Sequence, residues 1–147
     1  MAVRSRACLP LRPSRSLRKP ERRADVGVRA WVAARAPSDL YLSAVTVLEI
    51  EVGIGRIARR GPAQGARMQA WLDEELLDAF AGRILSVDVP VARRAARLHV
   101  PDPRPERDAL IAATASVHGL AVVTRNAKDF EPLDVAVINP WGDAVGS

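Results

Sequence analysis

Residues 106–124, ERDALIAATASVHGLAVVT, decide the fold. Glu106 to His118 has the length and the apolar, Ala-rich spacing of a buried helix. Gly119 stands where a helix commonly closes in a left-handed residue. Leu120 to Thr124 (LAVVT) follows as a short β-branched run bounded by turn formers, the pattern of a buried strand. A helix feeding a strand through one glycine is half of a crossover unit. The rest of the chain repeats the alternation: a strand at Leu40 to Val45 (LYLSAV), then helical spacing from Thr46 to Arg60 through Val47, Ile50, Ile54 and Ile57. Gly61-Pro62 breaks it, and a second helix runs from Pro62 to Phe80, with Met68, Trp71, Leu72, Leu76 and Phe80 on one face. Ile84 to Val87 reads as a strand, Pro90 to Leu98 as a helix, and Ala136 to Ile138 as a last short strand. Val28, Trp31 and Val32 predict a further short helix over residues 26–35. Strands alternating with helices imply an α/β fold with a mostly parallel sheet covered on both faces. Ligands in such sheets bind beyond the C-terminal ends of the strands.

The 147 residues suit one domain. No run of 18 apolar residues is present, which excludes a membrane-spanning helix. The single cysteine, Cys8, cannot form an internal disulfide, and no Cys/His cluster suggests zinc, so a cytoplasmic setting is expected. The formal charge of +5 suggests a nucleic-acid binder, but it is localised. Residues 1–35 carry ten Arg and Lys against Glu21 and Asp25, a balance of +8, and the remaining 112 residues stand at −3. Pro10, Pro13 and Pro20 interrupt every apolar run near the start. Residues 1–24 therefore read as a basic, irregular segment, residues 25–141 as the folded domain and residues 142–147 as a tail.

Acids recur where strands and loops feed helices: Glu49 after LYLSAV, Asp108 after the loop of Pro101, Pro103 and Pro105, and Asp129 after LAVVT. Clustered carboxylates without His or Cys suit a hard divalent cation such as Mg²⁺, which prefers oxygen ligands and can activate water for attack on a phosphodiester. Each acid also has a structural reading. Thr46-x-x-Glu49 has the form of a capping box. Asp108 in a first helical turn is favoured by the macrodipole. Asp129 and Asn126 suit a solvated turn. Asp88 before Pro90 reads as a helix cap, and Asp73-Glu74-Glu75 as a solvated face.

The stretches YLSAVTVLEIEVGIGRI, DALIAATASVHGLAVVTRNAKDF and VINPW together resemble the VapC-type PIN-domain ribonucleases, over about residues 17–141. The resemblance implies a three-layer α/β/α sandwich and a toxin that cleaves RNA with Mg²⁺ or Mn²⁺. It also implies a homodimer and a cognate VapB-like antitoxin that blocks the site. Carried over by motif, Glu49, Asp108 and Asp129 are the catalytic acids. These three and Asn126 form the metal shell, and Thr124 and Arg125 face the substrate. The family opens with an apolar strand ending in L-D-T-N, whose Asp is the central metal ligand, followed by S-E-L-R-K-P. Here Leu17-Arg18-Lys19-Pro20 match the end of that motif. Counting back puts Pro10 at the Asp and Arg12 at the Asn.

The first strand is therefore expected to be degraded, and weak or absent RNase activity is expected of a site lacking one carboxylate. One explanation of the divergence is a frame disruption upstream of Leu17: Ser14-Arg15-Ser16 can be encoded by bases that spell Val-Ser-Glu one position over, and the idea predicts a Leu-Asp-Thr-Asn segment in an adjacent frame. Two further readings follow: a non-catalytic PIN-like protein that binds an antitoxin, and a basic arm that binds RNA beside an inert domain.

Overall fold

The computed structural model describes residues 7–8, 39–124 and 126–139. The helix expected at 26–35 lies outside them, as do Pro10 and Arg125. In chain order the elements are β1 (Ala7–Cys8), β2 (Leu40–Ser43), α1 (Ala44–Arg60), α2 (Pro62–Trp71), a π-helical turn (Leu72–Leu76) and α3 (Leu77–Ala79). They continue as β3 (Ile84–Leu85), α4 (Val89–Leu98), α5 (Glu106–Val117), β4 (Ala121–Val123), α6 (Ala127–Phe130), a 3₁₀ turn (Glu131–Leu133) and β5 (Val137–Ile138). The strands form one sheet in the order β3-β2-β1-β4-β5, and every described pairing is parallel.

The expectation that the segment 1–24 is irregular needs correction at one point. Ala7–Cys8 occupies the centre of the sheet, with Ala7 opposite Leu40 on one side and Ala121 on the other. A parallel ladder is made by backbone amides and carbonyls, so pairing asks little of the side chains. The first strand is thus present at Ala7–Cys8.

The strand expected through Val45 stops at Ser43, where α1 begins with no loop between. Ser43 Oγ accepts a hydrogen bond from the Val45 backbone N–H at 3.0 Å, satisfying a first-turn donor and turning strand directly into helix. Along α1, Thr46, Ile50 and Ile54 are buried, and Gly61 closes the helix by donating to Ile57 O at 2.9 Å.

α1 and α2 then pack closely at one point. A Cβ built on Gly65 would stand 2.5 Å from Ala58 Cβ and 2.6 Å from its Cα, so only glycine fits there. The helix expected over Pro62–Phe80 is widened by the π turn, in which Leu77 N–H reaches back to Leu72 O. Its buried residues Met68, Leu72 and Leu76 recur every four positions. A 3.6-residue repeat drifts off that stripe, and a wider turn restores it.

Adjacent strand residues face opposite layers. On one side Leu40, Leu42 and Val123 pack with Ile50, Ile54, Met68, Leu72 and Leu76 of the α1–α2 layer. On the other, Val122 packs with Ile111, Ala112 and Ala115 of α5, together with Phe130 and Leu133. This is the three-layer α/β/α arrangement expected. α4 closes the outside of α5 through Val91, Ala95 and Ala113, and Asp88 caps α4 by accepting from Val91 N at 3.1 Å. The loop before α5 is held by His99, whose Nδ1 accepts from Arg104 N at 3.0 Å.

The strand order reverses between β1 and β4, since the chain leaves β3 at one edge and returns on the far side of β1. The crevice beyond the C-terminal ends of β1 and β4 is the switch point where such sheets bind ligands.

Candidate metal site at the sheet switch point

Two helix N-termini are brought to this edge. α1 starts directly from the C-terminal end of β2, and α5 runs down its layer to Gly119 (φ 68°) before β4 climbs back. They meet through Val45 in the first turn of α1, which packs in the same cluster as Ile111, Ala112 and Ala115 of α5. Glu49 is four residues past Val45 and Asp108 three before Ile111, so helical spacing keeps each acid on the face that carries that contact.

Glu49 is half-buried, and its Oε1 is sealed from solvent. It does not cap α1. The cap is Ser43, which leaves Thr46 as the third and Glu49 as the sixth residue of the helix. The capping-box reading of Thr46-x-x-Glu49 is therefore set aside.

Asp108 is the third residue of α5 and only 6% exposed. A helix N-terminus favours an acid by ~0.3–2 kcal/mol. Burying a carboxylate costs several kcal/mol before partners are counted, so the dipole alone does not account for an acid placed there. Neither Glu49 nor Asp108 is without a partner.

After β4, Thr124 is buried at 6% exposure; its N–H donates to Ile138 O and its Oγ1 accepts from Asn126 N, each at 3.0 Å. The Thr124 hydroxyl thus shapes the turn into α6, whereas the Asn126 side chain makes no cap hydrogen bond. Asn126 and Asp129 are both exposed, and the Asp129 N–H donates to Asn126 O at 3.0 Å. Half-buried Glu49 and buried Asp108 on the one hand, and exposed Asp129 on the other, thus belong to different surroundings. Among the described residues no three His, Cys, Asp or Glu side chains gather closely enough to hold one ion.

Two features were not read from the sequence. One is the Ser43 cap, whose signal is a serine at the end of an apolar strand. The other is the Thr46 side chain, 1% exposed, whose Oγ1 is buried with no hydrogen-bond partner. The groove lined by Val89, Pro90, Arg93, Arg94, Arg97 and Val117 is no part of this site. Val117 ends α5, about 13 Å along the helix from Asp108. Among the described residues no helix is long and apolar enough to cross a membrane.

The PIN domain family model matches residues 17–135, beginning downstream of Pro10. The chain is 39% identical to toxin FitB of Neisseria gonorrhoeae over 140 residues, covering 91% of this chain and 92% of that protein. It is 38% identical over 127 residues to the VapC ribonuclease Y4jK of Sinorhizobium fredii, covering 82% of this chain and 88% of the relative. The crystal structure of FitAcB from Neisseria gonorrhoeae superposes with a TM-score of 0.80 at 35% identity, covering 93% of this chain and 99% of that one. The strand order and these likenesses agree, and the chain belongs to the PIN-domain family, among its VapC- and FitB-type toxins.

Proposed function

We propose that this chain is a metal-dependent endoribonuclease of the VapC toxin type whose activity is impaired by proline at position 10. The observation that carries the reading is the pair Glu49 and Asp108, two shielded carboxylates on helices that meet at the switch point. Their all-oxygen donor set fits Mg²⁺ or Mn²⁺, for which one or two direct carboxylates with waters suffice. In this reading Glu49 and Asp108 hold the cation. Bound there, it lowers the pKa of a coordinated water and offsets charge on the scissile phosphate. Asp129, with Asn126 beside it, orients the attacking water from the solvent side. Thr124 shapes the pocket floor, and Arg125 pairs with an RNA phosphate. With proline where the family has its central acid, the pair lacks its hub and is less rigidly held. Catalysis depends on tight positioning, so cleavage is weak.

The test is cleavage of RNA by the purified chain with Mg²⁺ or Mn²⁺, beside Glu49→Ala and Asp108→Ala. Weak metal-dependent cleavage lost in both variants supports the reading. Robust cleavage that survives both substitutions contradicts it.

Proline at position 10 favours a second reading, in which the chain binds a VapB-like antitoxin, forms a homodimer and cuts nothing. Capture of the neighbouring gene's product with no nuclease activity at any metal concentration selects this reading over the first.

A further inference from the structure

Four hydroxyl side chains are buried among the described residues: Ser43, Thr46, Thr114 and Thr124. Three have partners. Ser43 Oγ accepts from Val45 N, Thr124 Oγ1 accepts from Asn126 N, and Thr114 Oγ1 donates to Leu110 O at 2.7 Å. Thr46 alone has none, although it is 1% exposed.

Its place in α1 explains why. A helical threonine ordinarily donates to the carbonyl four residues back, as Thr114 does. Thr46 is the third residue of its helix, so the residue four back is Leu42, which lies in β2. The usual partner is thereby removed. Ser43 already serves the N–H of Val45, so the cap does not need Thr46 either. Valine would fill the same volume without a stranded hydroxyl, and packing alone therefore favours valine.

One acceptor lies within the reach of this hydroxyl by helix geometry. Residues three apart on a helix are neighbours, and three residues past Thr46 is Glu49, whose Oε1 is likewise sealed from solvent. We propose that Thr46 is a positioning residue for Glu49: its hydroxyl donates to the carboxylate when that carboxylate holds a divalent cation. The proposal rests on the metal-dependent reading above. Carboxylates that ligate metals are themselves held by hydrogen bonds, and removing such a partner typically weakens metal affinity about 10–100-fold. Thr46 does not touch the cation. It fixes which way Glu49 faces, a function that matters more where the family's central acid is missing.

The test is Mn²⁺ affinity of the purified chain, followed by the electron paramagnetic resonance signal of free Mn²⁺, with thermal melting alongside. Thr46→Val removes the hydroxyl and keeps the shape. It is expected to melt at or above the parent and to bind Mn²⁺ about tenfold more weakly. Thr46→Ser restores the hydroxyl and is expected to bind within about twofold of the parent, as is Thr114→Val, which removes a hydroxyl remote from Glu49. Parent-like affinity in Thr46→Val overturns the proposal and leaves the metal site standing. Equal weakness in Thr46→Val and Thr46→Ser also overturns it, by assigning the effect to shape. If the parent binds no Mn²⁺, the metal-dependent reading itself fails and the positioning role fails with it.

Discussion

The unit from Glu106 to Thr124 and the two-residue strand β1 sit side by side in the sheet and are specified in different ways. In the first, composition, periodicity, the glycine cap and burial all agree. Asp108 through Ala115 is buried at all but Leu110, and Val122 and Val123 are sealed between two cores. In the second, Ala7–Cys8 stands where the family has an apolar strand, and the described contribution is backbone pairing to β2 and β4. The difference teaches that a strand position and a site position are separable. A central ladder accepts varied sequences because it pairs through peptide groups. A metal site does not, because its ligand is a particular carboxylate.

The comparison can be broken at several points. The largest stability effect is expected inside the α5–β4 unit. Ile111→Ala removes a side chain with 0% exposure and should cost about 2–5 kcal/mol, read from urea melts. At the site, Asp108→Ala should lower whatever metal-dependent cleavage the parent shows by about 100-fold while the fold persists. An equal rate in that variant would remove Asp108 from the machinery. In β1, Cys8→Pro takes one N–H out of the central strand and should cost about 1–3 kcal/mol, whereas Cys8→Val should be neutral or stabilising. If both melt alike, backbone pairing is not what holds β1. The smallest effect is at the α1–α2 contact. Gly65→Ala gains about 1 kcal/mol of helix propensity, but a Cβ 2.6 Å from the Ala58 Cα forces the helices apart at about 1–3 kcal/mol. A modest net loss in melting temperature is the expected result, and a gain would show that the contact yields.

Much of this architecture is legible in the sequence where local signals coincide. The helix read over 106–118 is found at Glu106–Val117, and the strand read over 120–124 at Ala121–Val123. The Asp88 cap is found as read. Where the reading slipped, a single competing interaction explains it. Val45 is β-branched and extends the apparent strand, but the Ser43 hydroxyl starts the helix earlier. That shift of the helix start changes the meaning of Glu49, from an apparent capping partner to a side chain one turn deeper. The π turn was hidden because a stripe spaced by four resembles an α-helical one over a short window. At the site, sequence motifs name Glu49, Asp108 and Asp129 as catalytic acids and Asn126 as a further shell residue, and the structure separates a shielded pair, Glu49 and Asp108, from an exposed one, Asn126 and Asp129. Burial depends on which layer meets α1 and α5, and no motif carries that. Of the +8 carried by residues 1–35, +4 lies in residues 1–16, before the family match begins, and +4 in residues 17–35; residues 36–147, which hold the acids of the site, stand at −3, so the net +5 is no guide to the chemistry there.

In the proposed function the chain keeps Glu49 and Asp108 as a working remnant of a three-acid site whose missing member falls at position 10. The most direct measurement is RNA cleavage in Mn²⁺ by the parent and by Pro10→Asp, purified alike. The account predicts a rate about 100-fold higher in Pro10→Asp, abolished again by Glu49→Ala or Asp108→Ala. Cleavage by the parent as fast as by Pro10→Asp, or a Pro10→Asp rate indifferent to Glu49 and Asp108, would contradict it.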